Sequence, residues 1–237
     1  MRTNQYKTIY NPISTDYVCI VGDTHGIWDI LFEKIDSCEI RNCVLIHVGD
    51  VGIGFKSPEK QNSELEIVND YFSERGISFY AIAGNHDDPS YFQGQVNLSH
   101  FTLLADYSTL IINHKKFLFV GGAISIDRIM RTPNKSWWPD EVFVLDESRA
   151  EKCDVLITHT APNWIGPNDK NGLELYIQKD ATLWDECLRE RIDMNQLIKL
   201  TQPQKHFCGH FHISQLAEND SCRSRIMNEH ELCEITL

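Results

Sequence analysis

The sequence predicts an α/β protein in which two β-sheets pack as a sandwich flanked by helices. Three observations support this fold: short apolar runs that end in polar turns, helical patterns between the first of these runs, and hairpin-like strands later in the chain. A chain of 237 residues is long enough for one large core, so we expect a single domain over residues 1–237.

Five apolar runs have the length and composition of buried strands. They lie at residues 17–23, 43–50, 77–87, 154–162 and 205–212, and each ends in polar residues. Helical patterns near residues 27–37 and 59–75 separate the first three runs. This order predicts a β-α-β-α-β unit with parallel strand pairing.

The second part of the chain predicts further strands and one long loop. Residues 101–106 and 108–123 and the late runs near 223–227 and 231–236 have the pattern of hairpin-like strands in a second sheet. Residues 180–200 show helical spacing of apolar residues. Residues 122–141 fit neither period and contain Gly, Pro and Asn, so we expect a long functional loop there.

Composition limits the classes of partner. A hydrophobic fraction of 42% and a charged fraction of 24% are typical of an ordinary globular protein. The net charge of -12 disfavours binding to long nucleic acids, which depends on basic side chains. The N-terminal stretch lacks the apolar region of a signal peptide, and no run is long enough to span a membrane. Eight scattered cysteines without a Cys-x-x-Cys pair indicate reduced thiols in a cytoplasmic protein, and no protein partner can be inferred.

Polar residues collect at the carboxyl ends of the five predicted strands. Taken singly, Asp23 could be a helix cap and Asp50 or Asn85 a turn residue. If the five strands are neighbours in one sheet, however, their ends converge on one crevice, and the mixture of nitrogen and oxygen ligands suits divalent metals. The residues are Asp23, His25, Asp50, Asn85, His86, Asp87, His159, His210 and His212.

A pair of metal ions would explain this choice of residue types. Two-metal hydrolases hold their cations roughly 3.5–4 Å apart, so a carboxylate must bridge them, and Asp50 is the natural choice. Neutral imidazoles and an amide oxygen can complete the coordination without overcharging the site.

The ordered motifs resemble those of the calcineurin-like metallophosphoesterase superfamily, in particular its small bacterial and phage members. The resemblance covers about residues 17–215 and rests on Gly22-Asp23-Thr24-His25, Gly49-Asp50, Gly84-Asn85-His86-Asp87, Thr158-His159 and Gly209-His210-Phe211-His212. It implies a four-layer αββα sandwich with two mixed sheets. It also implies two divalent ions, with manganese expected first and iron, zinc or cobalt also suitable; the ligands would be Asp23, His25, Asp50 and His212 for one ion and Asp50, Asn85, His159 and His210 for the other.

The same resemblance implies a mechanism. A metal-bridging hydroxide would attack phosphorus while His86, beside the leaving group, acts as general acid or transition-state stabiliser. Asp87 would hold the tautomer of His86 and raise its pKa, as in a catalytic dyad. The alternative for His86 is a structural role behind the metal ligands.

The sequence departs from one branch of the superfamily. Protein phosphatases continue Gly-Asp into a block that ends in Asp-Arg-Gly, whereas this chain continues as Gly49-Asp50-Val51-Gly52 without an arginine, which disfavours a phosphoprotein substrate. Arg128 and Arg131 in the long loop could bind phosphate instead, or could form ordinary salt bridges. Trp137 could stack on a base, while the neighbouring Trp138 could pin the loop.

The leading functional hypothesis is hydrolysis of a small phosphate ester, with nucleotide-like substrates included and a phosphodiester preferred. A phosphomonoesterase would use the same metal ligands and is the first alternative. An inactive relative that serves as a protein-binding scaffold is an alternative of another class, although no motif is missing. A nuclease for long DNA or RNA is disfavoured by the net charge.

Overall fold

Two mixed β-sheets form the centre of the fold in the computed structural model, which describes residues 12–219 and 221–237. The start of the predicted domain and the N-terminal residues 1–11, considered above for a signal peptide, lie outside the described residues. The strands are β1 (Val18–Val21), β2 (Val44–His47), β3 (Ser78–Ala81), β4 (Phe101–Leu103), β5 (Ser108–Ile112), β6 (Lys115–Val120), β7 (Val155–Thr158), β8 (Lys205–Cys208), β9 (Gln215–Glu218), β10 (Arg223–Ile226) and β11 (Leu232–Ile235). The helices are α1 (Trp28–Ser37), α2 (Pro58–Glu74), α3 (Glu174–Lys179) and α4 (Leu183–Thr201).

The first sheet has the strand order β11-β1-β2-β3-β4 and the second the order β5-β6-β7-β8-β10-β9. Strands β1 to β4 are parallel, as are β6, β7, β8 and β10, while β5, β9 and β11 run antiparallel at sheet edges. Two strands differ from the prediction, because β4 and β11 belong to the first sheet and not to the second. An apolar run shows that a strand is buried, but its pairing partner is decided by distant parts of the chain.

The two sheets pack face to face and share one apolar layer. Although all four residues of β1 are buried, Val18 and Ile20 point into this layer, whereas Cys19 and Val21 point towards the helices. This alternation follows the two-residue period of a strand. Phe117 and Phe119 supply aromatic bulk to the same layer from β6 in the second sheet.

Helices cover both outer faces. Leu31 of α1 and Phe72 of α2 pack on the first sheet, and the Phe72 ring lies 4.9 Å from that of Phe79 on β3. Met194 and Leu197 of α4 pack on Leu118 and Leu156 of the second sheet. The predicted four-layer αββα architecture is therefore confirmed.

The connection between β6 and β7 contains the predicted loop 122–141. Its regular structure is one 3-10 turn at Arg128–Met130, together with an isolated bridge between Pro133 and Trp137. None of the helices in the described part of the chain has the length and apolar composition needed to cross a bilayer.

A carboxyl group is buried on the inner face of α4. Glu190 is only 7% exposed, and burial raises the pKa of its carboxyl group to about 8. The folded protein thus holds a neutral Glu190 near neutral pH, whereas the unfolded chain would ionise it.

We expect Glu190→Gln to make the stability less dependent on pH. The pKa of Glu190 is higher in the folded protein than its ordinary value of 4.5, so its contribution is complete below pH 4.5 and is lost as the pH rises through about 8. The neutral glutamine cannot lose a proton, so on the order of a few kcal/mol of this pH dependence should disappear.

The measurement is the melting temperature of both proteins between pH 4.5 and 9. Glu66→Gln on the exposed face of α2 is the control and should follow the wild type. Parallel curves for the wild type and Glu190→Gln would show that the buried carboxyl group does not titrate in this range.

Candidate metal centre

The site lies where the carboxyl ends of five strands from both sheets meet. Strands β1, β2 and β3 of the first sheet lead to Asp23, Asp50 and Asn85, while β7 and β8 of the second sheet lead to His159 and His210. The sequence analysis considered these five strands as neighbours in one sheet, but they are divided between the two sheets. The crevice spans the junction of two packed sheets, and each sheet supplies part of the site.

The first group of side chains contains Asp23, His25, Asp50 and His212, whose possible ligand atoms all lie within 4.8 Å of one another. His212 Nε2 is 3.3 Å from Asp23 Oδ2 and 3.1 Å from His25 Nε2. Asp23 is fully buried, yet its Oδ1 has no hydrogen-bond partner among the described residues. Because an unpaired buried carboxylate oxygen is costly, this group fits a divalent cation.

The second group contains Asp50, Asn85, His159 and His210. Asn85 Oδ1 lies 3.1 Å from His159 Nε2 and 2.8 Å from His210 Nδ1. Asp50 Oδ1 is 3.2 Å from His159 Nε2. Asp50 therefore takes part in both groups, and the structure brings all seven predicted ligands together, with their role in coordination remaining a prediction.

Hydrogen bonds outside the two groups orient their ligand atoms. His159 Nδ1 donates to the Val48 carbonyl at 2.9 Å, which leaves Nε2 free to face the centre. Asn85 Nδ2 donates to Ser125 Oγ at 3.0 Å, so Oδ1 points towards the histidines, and Ser125 Oγ in turn donates to Glu141. The sequence singled out the loop that contains Ser125 and Glu141, but no periodic signal marks these two contacts.

Opposite charges are concentrated in this buried space. Burial raises the pKa of Asp23. Burial would also raise the pKa of Asp50, but the charge and hydrogen bond of His159 hold it well below its ordinary value. Burial opposes a charge on His159, yet Asp50 raises the pKa of its imidazole to about 10. Asp50 is thus held as a carboxylate whose charge is matched by that of His159.

Four of the seven predicted ligands have a left-handed backbone. The φ angles are 50° at His25, 57° at Asp50, 70° at His210 and 50° at His212. Such a conformation costs roughly 1–3 kcal/mol at a residue other than glycine and persists only where the surroundings impose it. Other residues away from the crevice also adopt this conformation, but at these four positions it aims a predicted ligand into the crevice.

Two glycines of the motifs are required by close contacts with the carboxylates. A Cβ atom on Gly84 would lie 2.0 Å from Asp50 Oδ1, and one on Gly209 would lie 2.0 Å from Asp23 Oδ1. Neither space can hold a side chain. The glycines of these motifs therefore allow the backbone to pass directly behind the two carboxylates.

His86 lies beside the second group and contacts the long loop. Its backbone N–H donates to Asp50 Oδ1 at 2.7 Å, and its Nε2 is 2.5 Å from Arg131 Nη2. Since a guanidinium can only donate, Nε2 acts as acceptor in this arrangement. Burial lowers the pKa of His86 to about 4, and the charge of Arg131 acts in the same direction.

The predicted His86–Asp87 dyad is wrong. Both carboxylate oxygens of Asp87 accept backbone N–H groups: Oδ1 from Gly52 at 2.7 Å and Ile53 at 2.9 Å, Oδ2 from Val51 and Gly84. Asp87 therefore folds the turn after β2 against the turn after β3. Four backbone donors occupy the carboxylate, and the imidazole is instead held by Arg131.

The predicted substrate residues have different positions. Arg131 lines the crevice, but Arg128 forms ion pairs with Asp180 at 2.7 Å and Glu186 at 2.5 Å and joins the loop to the start of α4. Trp137 does not line the crevice, whereas Trp184 does. Ion pairs engage Arg128 and Trp137 lies outside the lining of the cleft, so of the three residues the structure brings only Arg131 to the crevice, and the role of all three as substrate contacts stays a prediction.

A cleft of about 450 Å³ opens in front of both groups. Its polar side includes Asp50, Asn85, His86, Arg131, His210 and His212, and its apolar side includes Leu173, Tyr176, Trp184 and Phe211. The volume is in the range of small-molecule sites.

Glu229 is a further acidic residue of the centre that the motifs do not contain. Its Oε1 lies 3.8 Å from His25 Nε2 and 3.6 Å from His212 Nδ1. The carboxylate can therefore orient both imidazoles and add negative charge to the first group. No strand-end pattern marks Glu229, because it lies beyond β10, far from the histidines in sequence.

We expect Glu229→Gln to weaken the binding of manganese by about tenfold, because outer partners of metal-binding histidines typically contribute that much affinity. The measurement is titration calorimetry of Mn²⁺ into metal-stripped protein. Glu74→Gln is the matched control, because Glu74 ends α2 just before β3 begins, whereas the site lies at the carboxyl ends of the strands. Equal losses of affinity in both variants would indicate only a general effect of net charge.

A family model described as calcineurin-like phosphoesterase matches residues 17–214. No curated protein matches the chain significantly. Among solved structures, the chain is similar to GAP50, the anchor in the inner membrane complex of Plasmodium, at 11% identity and a TM-score of 0.45, with 89% of this chain and 71% of that chain covered.

Two further solved structures show a comparable degree of similarity to the chain. A 5′-nucleotidase precursor from Thermus thermophilus shows 13% identity and a TM-score of 0.44, and the alignment covers 92% of this chain but only 50% of that one. The phosphopantetheinyl hydrolase PptH from Mycobacterium tuberculosis shows 13% identity and a TM-score of 0.44, with 93% and 91% covered. Such distant similarity carries no conclusion about this chain.

The match to the family model does support a conclusion about this chain. It extends over far more than half of the sequence and includes all five strand ends that form the crevice. The chain therefore belongs to the calcineurin-like phosphoesterase family and is a metal-dependent phosphoric ester hydrolase.

Proposed function

We propose that the protein hydrolyses a small phosphate ester, preferably a phosphodiester, at a pair of divalent cations. One observation carries this proposal: both groups of side chains share Asp50 and open onto a single cleft that also contains His86 and Arg131. Shared coordination by one carboxylate is what a pair of close cations requires.

The two ions would be held by different sets of side chains. One set is Asp23, His25, Asp50 and His212, and the other is Asp50, Asn85, His159 and His210. When bound, the cations supply Lewis acidity and lower the pKa of water, which makes it nucleophilic near neutral pH. We propose manganese as the ion, and iron, zinc or cobalt would suit the same nitrogen and oxygen donors.

Arg131 and His86 would act on the substrate. Arg131 Nη2 now donates to His86 Nε2, and in the proposed complex a phosphate oxygen replaces the imidazole as its acceptor. His86 is then released to face the leaving-group oxygen, where it stabilises the developing charge or donates a proton. The ion pair of Arg131 Nε with Asp127 at 2.7 Å fixes the guanidinium during this exchange.

The charge on the cleft wall favours a diester. Of the described residues that line the cleft, two are arginines, and Arg191 is occupied by the carbonyl groups of Pro162, Ile165 and Pro167. Arg131 thus remains as the cation for the phosphate group. A single guanidinium suits the one negative charge of a diester better than the two of a monoester.

The net charge and the thiols support the partner class and the location that we propose. A net charge of -12 supports a small soluble substrate over long nucleic acids or a membrane surface. All eight cysteines are free, which supports a cytoplasmic protein.

The test is hydrolysis of p-nitrophenyl phosphate and bis-p-nitrophenyl phosphate by metal-stripped protein to which manganese is returned. We expect faster turnover of the diester. Asp50→Asn should abolish turnover and weaken metal binding, because Asp50 serves both groups. His86→Ala should lower kcat by about 10²–10⁴-fold while metal affinity is kept.

His114→Ala, in the exposed turn between β5 and β6, is the control for the histidine substitution. Preference for the monoester would make the protein a phosphomonoesterase. Absence of turnover of both esters with manganese bound would contradict the proposal and favour a binding scaffold.

A further inference from the structure

The cleft continues past the predicted metal ligands to an apolar wall. This wall consists of Leu173, Tyr176, Trp184, Leu188 and Phe211, most of which lie between β7 and β8. The volume of about 450 Å³ is within the range of sites that enclose whole small molecules. The cleft is therefore built for more than a phosphate group.

The aromatic rings of the wall are held by neighbouring cations. Lys170 Nζ lies 5.3 Å from the centre of the Trp184 ring, and Arg191 Cζ lies 5.2 Å from that of Phe211. Arg191 is buried and bound to three backbone carbonyls, so Phe211 rests on a fixed support. Trp184 is only partly buried, which leaves ring surface available to a ligand.

Arg128 fixes the wall relative to the phosphate-binding side. It pairs with Asp180 and Glu186, which flank Trp184 at the start of α4, and it lies in the same short loop segment as Arg131. The aromatic wall and the Arg131 guanidinium are thus joined by a short chain of ion pairs. This preorganisation would suit a ligand that spans both sides.

We propose that this wall binds a planar aromatic ring of nucleobase size that belongs to the substrate and stacks on Trp184. The inference rests on the proposed function and narrows its substrate class to phosphate esters of alcohols that carry such a ring, as nucleotides do. Trp184 takes the stacking role that the sequence assigned to Trp137. The ring and the phosphate then occupy opposite sides of one cleft.

The test compares two inhibitors of reporter hydrolysis, adenosine 5′-monophosphate and ribose 5-phosphate. Both carry the same phosphate on the same primary alcohol, so the ratio of their inhibition constants isolates the base. In the wild type we expect adenosine 5′-monophosphate to bind about tenfold more tightly, as stacking on one aromatic side chain allows.

Substitutions then locate the contact. Trp184→Ala should bring the two inhibition constants close together without changing that of ribose 5-phosphate, and Trp184→Phe should restore most of the preference. Trp137→Ala is the matched control and should behave as the wild type. Equal inhibition constants in the wild type, or equal losses in Trp184→Ala and Trp137→Ala, would overturn the proposal.

A second measurement separates this inference from the proposed function. Adenosine lacks the phosphate, so its binding can be followed by saturation-transfer NMR without metal or turnover. Signals with the wild type and Trp137→Ala but not with Trp184→Ala support the ring site even if neither reporter is hydrolysed. Absence of signals with the wild type, together with equal inhibition constants, rejects the ring site while leaving the hydrolase intact.

Discussion

The structure depends on burying two carboxylates, Asp23 and Asp50, at the junction of its two sheets. Each accepts a backbone N–H from a motif at a different strand end, that of His210 for Asp23 and that of His86 for Asp50. These bonds do not satisfy every oxygen, since Asp23 Oδ1 has no partner within the described residues. The remaining negative charge explains why imidazoles surround the pair and why cations would be bound.

Much of the surrounding backbone serves to keep these carboxylates in place. Gly84 and Gly209 let the chain pass within contact of them, and left-handed turns redirect side chains that a regular strand would separate. Asp87 then joins the turns after β2 and β3 through four backbone hydrogen bonds. Some motif residues therefore point their side chains at the centre, while others, such as Asp87, stabilise the turns that carry those residues.

The long loop connects this centre to the rest of the cleft. Ser125 fixes the Asn85 amide, Arg131 contacts His86, and Arg128 secures the start of α4, so one segment contacts the second group of predicted ligands, His86 and the helix that carries part of the apolar wall. The predicted metal ligands lie in the turns at the strand ends, while the loop and α4 supply much of the cleft wall. Chemistry and specificity are thus assigned to different parts of the fold.

The sequence by itself determined the strands other than β9, the main helices and the seven side chains that converge, because short apolar runs and polar strand ends are local signals. The tertiary structure decided which strands belong to which of the two sheets, that Asp87 binds backbone and not His86, and that Trp184, not Trp137, lines the cleft. These features depend on contacts between residues far apart in the chain. A buried hydrogen bond or an ion pair leaves no periodic trace in the sequence, so only the packed structure could reveal them.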